Sequence, residues 1–541
     1  MSSAQWRRRA RRALRDAGRR ARALPEPAPT ILRSALRTLP QDNGVVRRLR
    51  AVVSPRPAAA RPPQPRAVPN GRARAGVPAY RGFLHLRDAG ETYTSAEAAT
   101  FLQLENAVLK RRLFAEPLPP LPPTGHEAED EAAASERVAR YLARADAAAH
   151  GLGADAPRHL AVVSVYPTEE NPYGNGFVHR RVKYFQAAGV RVDVAVVDPA
   201  SEPHAYEYDG VHVLVGRGPE AAELLRTRRY DSVAAHFLVR SLWEPIKDAL
   251  HGHRFFAFVH GFESRRWIRT VRNHRTQGQL DDAILETLDR QAFWREVLGH
   301  PNGPERFVFV SRWWRRAAQE DMELVFPGQR SAIVHNVIDT DLFRYVSKDP
   351  DQRFRVLWVR SAANLNYGPD LAVKALERLR ETELWDRMQV TVIGDGKHFG
   401  LFEQAFADDP RVTVERRYAV QEEIAQLHRD HGLFLVPTRL DSQGVSRDEA
   451  MSSGLVPVTN DAAAVREFVD EECAMVAGFE DVDGLAEGMR RLMQDPDLFL
   501  RMSEAAARRV RAQTSPAHTV EHEMSLMGLA HRRTGPREES A

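Results

Sequence analysis

Residues 437–460, PTRLDSQGVSRDEAMSSGLVPVTN, carry the most specific structural signal in the chain. An apolar strand precedes the segment, its loop contains Asp441 and Gly444, and a helix is expected to begin near Val445. Glu449 lies about one turn inside that helix. The first turn of a helix presents free backbone N–H groups that suit a phosphate, and carboxylates accept hydrogen bonds from hydroxyl groups. The segment therefore predicts a site for a phosphate-containing ligand that also carries sugar or ribose hydroxyls.

Alternating strands and helices surround this segment. Helices are expected over residues 370–380, 421–431 and 483–494. The strands between them are short apolar runs: RVLWVRS, QVTVIGDG, RVTVE, LFLVPT and LVPVTN. Such alternation is typical of a parallel sheet with helices on both faces. Residues 346–515 are therefore predicted to form one doubly wound domain.

A similar series begins at His159. The run HLAVVSVYP precedes a glycine-containing loop and the helical stretch HRRVKYFQAAG, and five further strand candidates follow: RVDVAVVD, VHVLVG, SVAAHF, FFAFVHG and RFVFVS. Residues 157–345 are therefore predicted to form a first doubly wound domain. Two such domains in tandem enclose a cleft between the carboxyl ends of their sheets, where ligands bind.

The remaining segments differ in composition. Residues 1–90 are rich in Arg, Pro and Ala and are expected to be a mostly disordered tail. Residues 91–156 are expected to form a helical extension, with helices over 95–114 and 127–150. Residues 516–541 are expected to form a C-terminal helix and tail.

The charge of the chain is unevenly distributed. Residues 1–75 contain 19 arginines and 3 acidic residues, a net charge of +16, whereas the whole chain carries +4. The other 466 residues therefore carry −12. A weak amphipathic helix is expected over residues 5–24 of this basic segment. Three interpretations stay open: attachment to an anionic membrane surface, binding to nucleic acid, and a plain solvated tail. Because no nucleic-acid-binding motif accompanies the arginines, no specific nucleic-acid partner is predicted.

Cysteine content and hydropathy limit the compartment. Cys473 is the single cysteine, which excludes a disulfide framework and a cysteine-rich zinc site. No run of about 18 apolar residues occurs, and the N-terminus has no apolar core of a signal peptide. The prediction is a cytoplasmic protein, either free or peripheral on the inner face of the cell membrane.

The segment 437–460 resembles the hallmark of the retaining GT-B glycosyltransferases of the group 1, family 4-like type. That hallmark is a Glu, seven residues and a second Glu, with a glycine three positions after the first. Asp441, Gly444 and Glu449 take these positions here, and AMSSGLVPVT follows them.

Other stretches agree with the family in order and spacing. They are VHNVIDTDLF at 334–343, VIGDG at 392–396, and 466–489, in which Glu467 takes the usual acidic place. The resemblance covers about residues 159–515 and implies an α/β GT-B fold of two tandem Rossmann-like domains. It also implies a bacterial enzyme of surface-polysaccharide synthesis. Such an enzyme moves a hexosyl group, with retention, from a nucleotide diphosphate sugar to a hydroxyl of a glycan or lipid-linked acceptor.

The resemblance assigns the sugar-binding residues. Asp441 and Glu449 would hold the donor sugar and ribose, and His260 would contact the sugar from the first domain. For His260, a capped strand end is the structural alternative. Position 441 departs from the family because it is an Asp, which is one methylene shorter than Glu but keeps the charge.

The donor diphosphate is assigned to a second group of residues. Arg360 ends the first strand of the second domain, where the family places an arginine that makes bidentate contacts to phosphate. The amides of Gly444 and Val445 would bind the same group. Gly394, in VIGDG, is a further donor-binding candidate.

The family usually has a lysine before a glycine at a position where this chain has Tyr367. Lys397, in GDGKHF, is the candidate replacement, and an ordinary surface lysine is the alternative.

The first β-α loop of the first domain offers another candidate. Gly174 and Gly176 suit a close approach to a donor or acceptor, although a merely tight turn is the alternative. Arg180, Arg181 and Lys183 follow on the next helix. That helix is expected either to touch a membrane or to present a solvated face.

Metal ligands and rival activities complete the predictions. Asp-x-Asp occurs four times, beginning at Asp339, Asp349, Asp481 and Asp495. The first lies within VHNVIDTDLF and the others lie in apparent turns or helix starts, so no catalytic metal or other cofactor is predicted. A nucleotide-sugar epimerase of the same fold and a non-catalytic scaffold are the two rival functions. Nothing in the sequence specifies the oligomeric state.

Overall fold

The computed structural model describes residues 101–109, 127–148, 152–153, 155–171, 174–274 and 276–530. The predictions for the basic tail, for the outer parts of the helix expected over 95–114, and for residues 531–541 lie outside these ranges. The described residues divide into two compact units, one containing 101–109 and 266–289 and the other containing the rest.

The smaller unit contains a buried ion pair. Residues 101–109 form a helix, whose Glu105 accepts hydrogen bonds from Arg266 through Nε and Nη2, each at 2.8 Å. Trp267 donates to the same carboxylate at 2.9 Å, and its ring packs edge-on against Phe101. Because the arginine binds both carboxylate oxygens, the two buried charges compensate each other.

The larger unit begins with an eight-stranded sheet. Its strands are β1 (Arg158–Val163), β2 (Arg191–Val197), β3 (His204–Tyr208), β4 (Val211–Gly216), β5 (Ser232–His236), β6 (Phe255–Val259), β7 (Arg306–Phe309) and β8 (Ser331–Ile333). Their order is β3-β4-β2-β1-β5-β6-β7-β8, and every neighbouring pair is parallel except the antiparallel pair of β3 and β4. The six predicted strands are confirmed.

Two strands of this sheet were not predicted. β3 has the sequence HAYEY, is largely exposed and lies at the sheet edge. A search for apolar runs finds strands buried on both faces, so it misses a polar edge strand. β8 has only three residues, too few for a periodic pattern.

Helices cover this first sheet. They are Glu127–Ala148, Gly176–Ala187, Pro219–Thr227, Arg240–Ile246, Arg312–Met322 and the C-terminal Pro516–Met527. A further helix, Gln277–Gly299, has residues in both units. The C-terminal helix packs on Gly176–Ala187 and adds Val520, Met524 and Met527 to the same apolar cluster as Phe185. The chain therefore returns to its first Rossmann-like domain after completing the second.

The second Rossmann-like domain has a six-stranded, fully parallel sheet. Its strands are β9 (Arg355–Val359), β10 (Gln389–Gly394), β11 (Val412–Arg416), β12 (Leu433–Leu435), β13 (Val456–Asn460) and β14 (Met475–Ala477). Their order is β11-β10-β9-β12-β13-β14. Its helices are Pro369–Arg380, Gly400–Phe406, Gln421–Asp430, Val445–Ser452, Val465–Phe468, Val482–Gln494 and Pro496–Thr514. The predicted helices are confirmed to within one or two residues at their ends.

Strand order places the site. In the second sheet the chain runs outward from β9 in one direction to β11 and then returns to β12 on its other side. This reversal lies between β9 and β12, and ligands of doubly wound sheets bind at the carboxyl ends of such strands. Arg360 follows β9 directly, and the loop 437–444 follows β12.

No helix in the described part of the chain is both long and apolar enough to cross a membrane.

Candidate functional site

The loop after β12 leads into the helix Val445–Ser452, as predicted. Gly444 is the N-cap residue, with φ 99°, a left-handed conformation that favours glycine. A Cβ at this position would come within 2.8 Å of the Arg447 guanidinium. Because Gly444 caps the helix without a side chain, the first N–H groups of the helix are not covered by a capping oxygen.

Arg360 contacts this loop. Its Nη2 donates to Asp441 Oδ2 at 2.9 Å and its Nη1 donates to the Pro437 carbonyl at 3.2 Å. Burial lowers the pKa of Arg360, and the charge of Asp441 opposes that shift. The structure thus brings together the two residues to which the sequence assigned the diphosphate and the sugar.

Tyr367 lies over Arg360. The guanidinium carbon is 4.5 Å from the centre of the Tyr367 ring, a cation–π contact. At the position where the resembling family has a lysine, this chain therefore has an aromatic ring that contacts Arg360.

Gly394 also packs against Arg360. A Cβ on Gly394 would lie 2.1 Å from the Arg360 carbonyl oxygen, so only glycine fits between these backbones. Lys397 lies in the turn after β10 and is exposed. It takes no part in the ion pair between Arg360 and Asp441.

Glu449 is nearly fully buried inside the helix that Gly444 caps. Arg180, from the first domain, donates to Glu449 Oε1 through Nη2 at 3.1 Å. The same nitrogen donates to Gln421 at 2.9 Å, and Nη1 donates to the Val337 carbonyl at 3.3 Å. Burial raises the pKa of Glu449 and the charge of Arg180 opposes the rise.

The helix Gly176–Ala187 was predicted either to touch a membrane or to present a solvated face. This prediction is wrong for Arg180 and Arg181, which are largely buried. Arg181 is 1% exposed and pairs with Glu523 at 2.9 Å. Its Nη1 also donates to Asn336 at 3.1 Å. The physical reason is that the C-terminal helix covers this surface. Lys183 is partly exposed and donates to the Asp209 carbonyl at 2.7 Å.

The loop of Gly174 and Gly176 has two different roles. A Cβ on Gly174 would lie 2.9 Å from Val165 Cγ1 and 3.1 Å from the Tyr166 carbonyl oxygen, which makes Gly174 a close-packing glycine. A Cβ on Gly176 would meet nothing within 4 Å. Asn175 between them adopts φ 57° and caps the helix that Gly176 begins.

His260 follows β6 and is buried. Its ring packs against Phe177 and Phe237, with ring centres 4.9 and 4.5 Å away. Nε2 of His260 lies 3.0 Å from Nδ1 of His236, whereas Nδ1 of His260 has no hydrogen-bond partner among the described residues. Burial and the charge of Arg181 drive the pKa of His260 well below its usual value, so the ring is neutral.

Several contacts between the two Rossmann-like domains were not predicted. Gln443 accepts a hydrogen bond from the Asn336 amide at 2.6 Å and donates to its carbonyl at 3.0 Å. Glu467, which the sequence placed only by resemblance, accepts from the backbone N–H groups of Arg312 and Trp313 at 2.9 and 3.0 Å. A carboxylate of the second domain thus caps a helix of the first.

The four Asp-x-Asp motifs act as turn and cap residues. Asp339, Asp349, Asp481 and Asp495 each accept a hydrogen bond from a backbone N–H two or three residues later. In the described ranges, no group of three or more His, Cys, Asp or Glu side chains is arranged to hold a metal ion.

Part of the second domain matches a known protein family. Residues 353–495 match the family model described as glycosyl transferases group 1. No curated protein matches the chain in sequence.

Three solved structures illustrate the shared fold. Sucrose-phosphate synthase from Thermosynechococcus elongatus is 16% identical with a TM-score of 0.53, over 68% of this chain and 98% of that one. A glycosyltransferase from Rickettsia africae is 11% identical with a TM-score of 0.51, over 70% of this chain and 100% of that one. Anabaena HepE in complex with UDP and glucose is 13% identical with a TM-score of 0.50, over 68% of this chain and 99% of that one.

These findings define the fold of the protein. The architecture of two parallel-sheet Rossmann-like domains is the GT-B fold. Its second domain, over residues 353–495, carries the match to the glycosyl transferases group 1.

Proposed function

We propose that the protein transfers a hexosyl group from a nucleotide diphosphate sugar to a hydroxyl of a glycan or lipid-linked acceptor. One observation carries the proposal. At the reversal of strand order in the second sheet, Arg360 pairs with Asp441, and the helix that begins after Gly444 offers free N–H groups beside them. A cation and a helix N-terminus suit a diphosphate, and the carboxylates of Asp441 and Glu449 suit hydroxyl groups.

The chemistry of the site follows from where charge develops. In glycosyl transfer the bond to the diphosphate breaks and negative charge grows on the leaving group. The Arg360 guanidinium and the Val445 amide would offset that charge in a place largely shielded from water. Gln443 and Glu467 join the two domains by hydrogen bonds. Closure of the domains around the donor would keep water from hydrolysing it.

Other parts of the proposal rest on the sequence resemblance. These are retention of configuration and a place in surface-polysaccharide synthesis. A reaction without a metal cofactor is proposed from the positions of the four Asp-x-Asp motifs. HepE, which shares the fold, was solved with UDP and glucose, which supports a nucleotide sugar as the donor class here.

We further propose that residues 1–75, with a net charge of +16, attach the protein to an anionic membrane. Full-length protein should cosediment with phosphatidylglycerol vesicles at low salt. A chain that begins at about residue 90 should stay in solution, and so should the full chain mixed with phosphatidylcholine vesicles.

Nucleotide binding tests the proposal directly. Thermal unfolding would be followed with UDP, GDP, ADP, CMP and dTDP in the presence of EDTA. A nucleotide at 100 times its Kd should stabilise the protein by about 2.7 kcal/mol. Arg360→Ala should abolish this shift in unfolding temperature. The control is Arg378→Ala, which removes an exposed ion pair with Asp483 in the same domain and should keep the shift.

A non-catalytic scaffold is the second candidate, because both acidic residues of the hallmark already have an arginine partner. Asp441 pairs with Arg360, and Glu449 pairs with Arg180. If no nucleotide raises the unfolding temperature of the folded protein, the scaffold function replaces the transferase.

A further inference from the structure

The turn after β6 lies on the first-domain side of the candidate site. His260, Gly261, Phe262 and Glu263 form this turn. A Cβ built on Gly261 would lie 3.9 Å from Ser442 Oγ, in the loop that contains Asp441. A shift of this turn would therefore change the contact between the first domain and the loop that contains Asp441.

Glu263 fixes the backbone of the turn. Its carboxylate accepts hydrogen bonds from the amide of His260 at 2.5 Å and from the amide of Gly261 at 2.8 Å. The residue is completely buried, and its own carbonyl accepts from Trp294 Nε1 at 2.7 Å. A carboxylate that binds two successive amides holds both peptide units in one orientation.

His236 fixes the ring of His260. Nδ1 of His236 and Nε2 of His260 are 3.0 Å apart, and the two rings stack with an angle of 25° between their planes. Burial lowers the pKa of both rings, and the nearby charge of Arg181 lowers it further. Because both imidazoles are neutral, one proton lies between them and each ring keeps one other nitrogen.

The remaining nitrogen defines what His260 can bind. Nδ1 of His260 is buried without a partner among the described residues. A neutral imidazole flanked by Phe177 and Phe237 carries no charge to offset a phosphate. A hydroxyl suits it in either tautomer, because a hydroxyl both donates and accepts.

We propose that Glu263 and His236 are positioning residues that together hold His260 so that its Nδ1 meets a hydroxyl of the transferred hexosyl group. The inference rests on the proposed function, since it needs a hexosyl donor in the cleft. Glu263 acts on the main chain of His260 and His236 acts on its side chain. The two contacts are independent, so each can be removed alone.

The test compares variants at these positions with matched controls in the same domain. Glu263→Gln places an NH₂ group against one of the two amides, and His236→Phe keeps the ring stacking on Phe258 but removes the hydrogen bond. His236→Gln keeps an atom that can bond to His260. The controls are Glu220→Gln and His159→Phe, both buried polar residues of the first domain.

Glu220 is remote from the turn, and His159 lies at the opposite edge of the sheet, although its charge reaches His236. Glu220 follows β4, four strand positions from β6, or about 19 Å. His159 lies at the amino end of β1, where it bonds to Ser232 at 2.7 Å.

Turnover and nucleotide binding are measured separately. The nucleotide that stabilises wild-type protein is identified first, and release of that nucleotide from its hexose conjugates gives kcat and KM. Glu263→Gln and His236→Phe should lower kcat by about ten- to hundredfold, because small misplacements of a contact group have effects of this size. The shift in unfolding temperature caused by the nucleotide alone should not change. His236→Gln should recover part of the loss, and both controls should keep wild-type kcat.

Three results would overturn the inference: folded variants with unchanged kcat, an equal fall in the controls, or a parallel loss of nucleotide binding. If no nucleotide stabilises the wild-type protein, the proposed function fails. If a nucleotide binds but is released from no hexose conjugate in the absence of an acceptor, the site excludes water and turnover gives no readout. Amide hydrogen exchange then tests, without an activity assay, whether Glu263 holds the backbone of the turn. Exchange at His260 and Gly261 should rise in Glu263→Gln and stay slow in Glu220→Gln, and equal rates in both would refute it. If Glu263→Gln does not fold, Glu263→Asp and the His236 variants answer the same question.

Discussion

Arg180 of the first domain and Glu449 of the second form an ion pair, with 3.1 Å between Nη2 and Oε1 and with both side chains largely buried. Glu449 is the second acidic residue of the hallmark, so one of the two proposed donor-binding carboxylates is held from across the cleft. The pair therefore contributes both to the closure of the domains and to the charge state of the site.

Removal of Arg180 should destabilise the protein, because it leaves the Glu449 carboxylate buried without a compensating charge. Arg180→Ala should cost about 3 kcal/mol. Glu449→Gln in the same chain should restore part of that loss, since a neutral amide needs no counter-charge. Urea unfolding of both single variants and the double variant measures the coupling. Additive losses would mean that the two side chains do not interact, and Arg378→Ala provides an exposed arginine as the control.

Tyr367 should support nucleotide binding through its ring rather than its hydroxyl. The ring lies 4.5 Å from the Arg360 guanidinium carbon, so Tyr367→Phe keeps the cation–π contact and Tyr367→Ala removes it. We expect the Kd for the stabilising nucleotide to rise about three- to tenfold in the alanine variant, given about 1 kcal/mol for such a contact. Calorimetric titration measures both variants. A similar loss in Tyr367→Phe would assign the effect to the hydroxyl.

Gly394 should be intolerant of any side chain. Its Cβ would lie 2.1 Å from the Arg360 carbonyl oxygen, and backbone atoms cannot move aside as a flexible side chain can. Gly394→Ala should lower the unfolding temperature and weaken nucleotide binding, because it displaces Arg360. Gly400→Ala, whose Cβ would meet nothing closer than 3.8 Å, should leave both unchanged or slightly improved. Equal behaviour of the two variants would show that the backbone at Arg360 can adapt.

Local patterns in the sequence sufficed for every strand of the two sheets except β3, β8 and β14, and for the helix that Gly444 caps. The buried parallel strands are apolar runs, and the cap is a glycine between a strand and a helical stretch. Arg360 and Asp441 were assigned by resemblance, and the structure places them in contact. The edge strand β3 was missed because its sequence, HAYEY, contains no apolar run.

Contacts between distant segments gave no local signal. Arg180 and Glu449 are 269 positions apart, so no spacing in the sequence links them. Arg181 was misassigned for the same reason, because the helix that buries it is more than 300 residues away. Glu263 is different, since a Glu three residues after a strand-ending His is a local feature that a search for capping carboxylates would find.

The pH dependence of stability should report on Glu263. Burial raises the pKa of its carboxyl from 4.5 to about 7, although the amides of His260 and Gly261 and the charge of Arg265 oppose the shift. The folded protein therefore holds this proton between pH 4.5 and about 7, whereas the unfolded chain releases it. Stability from this group is complete below pH 4.5 and is lost as the pH rises to about 7, a total of about 3 kcal/mol. Glu263→Gln cannot ionise, so the wild-type free energy of unfolding minus that of the variant should fall over this range. Urea unfolding at pH 5, 6, 7 and 8 measures the difference, and a difference that is constant with pH would show that Glu263 stays ionised throughout.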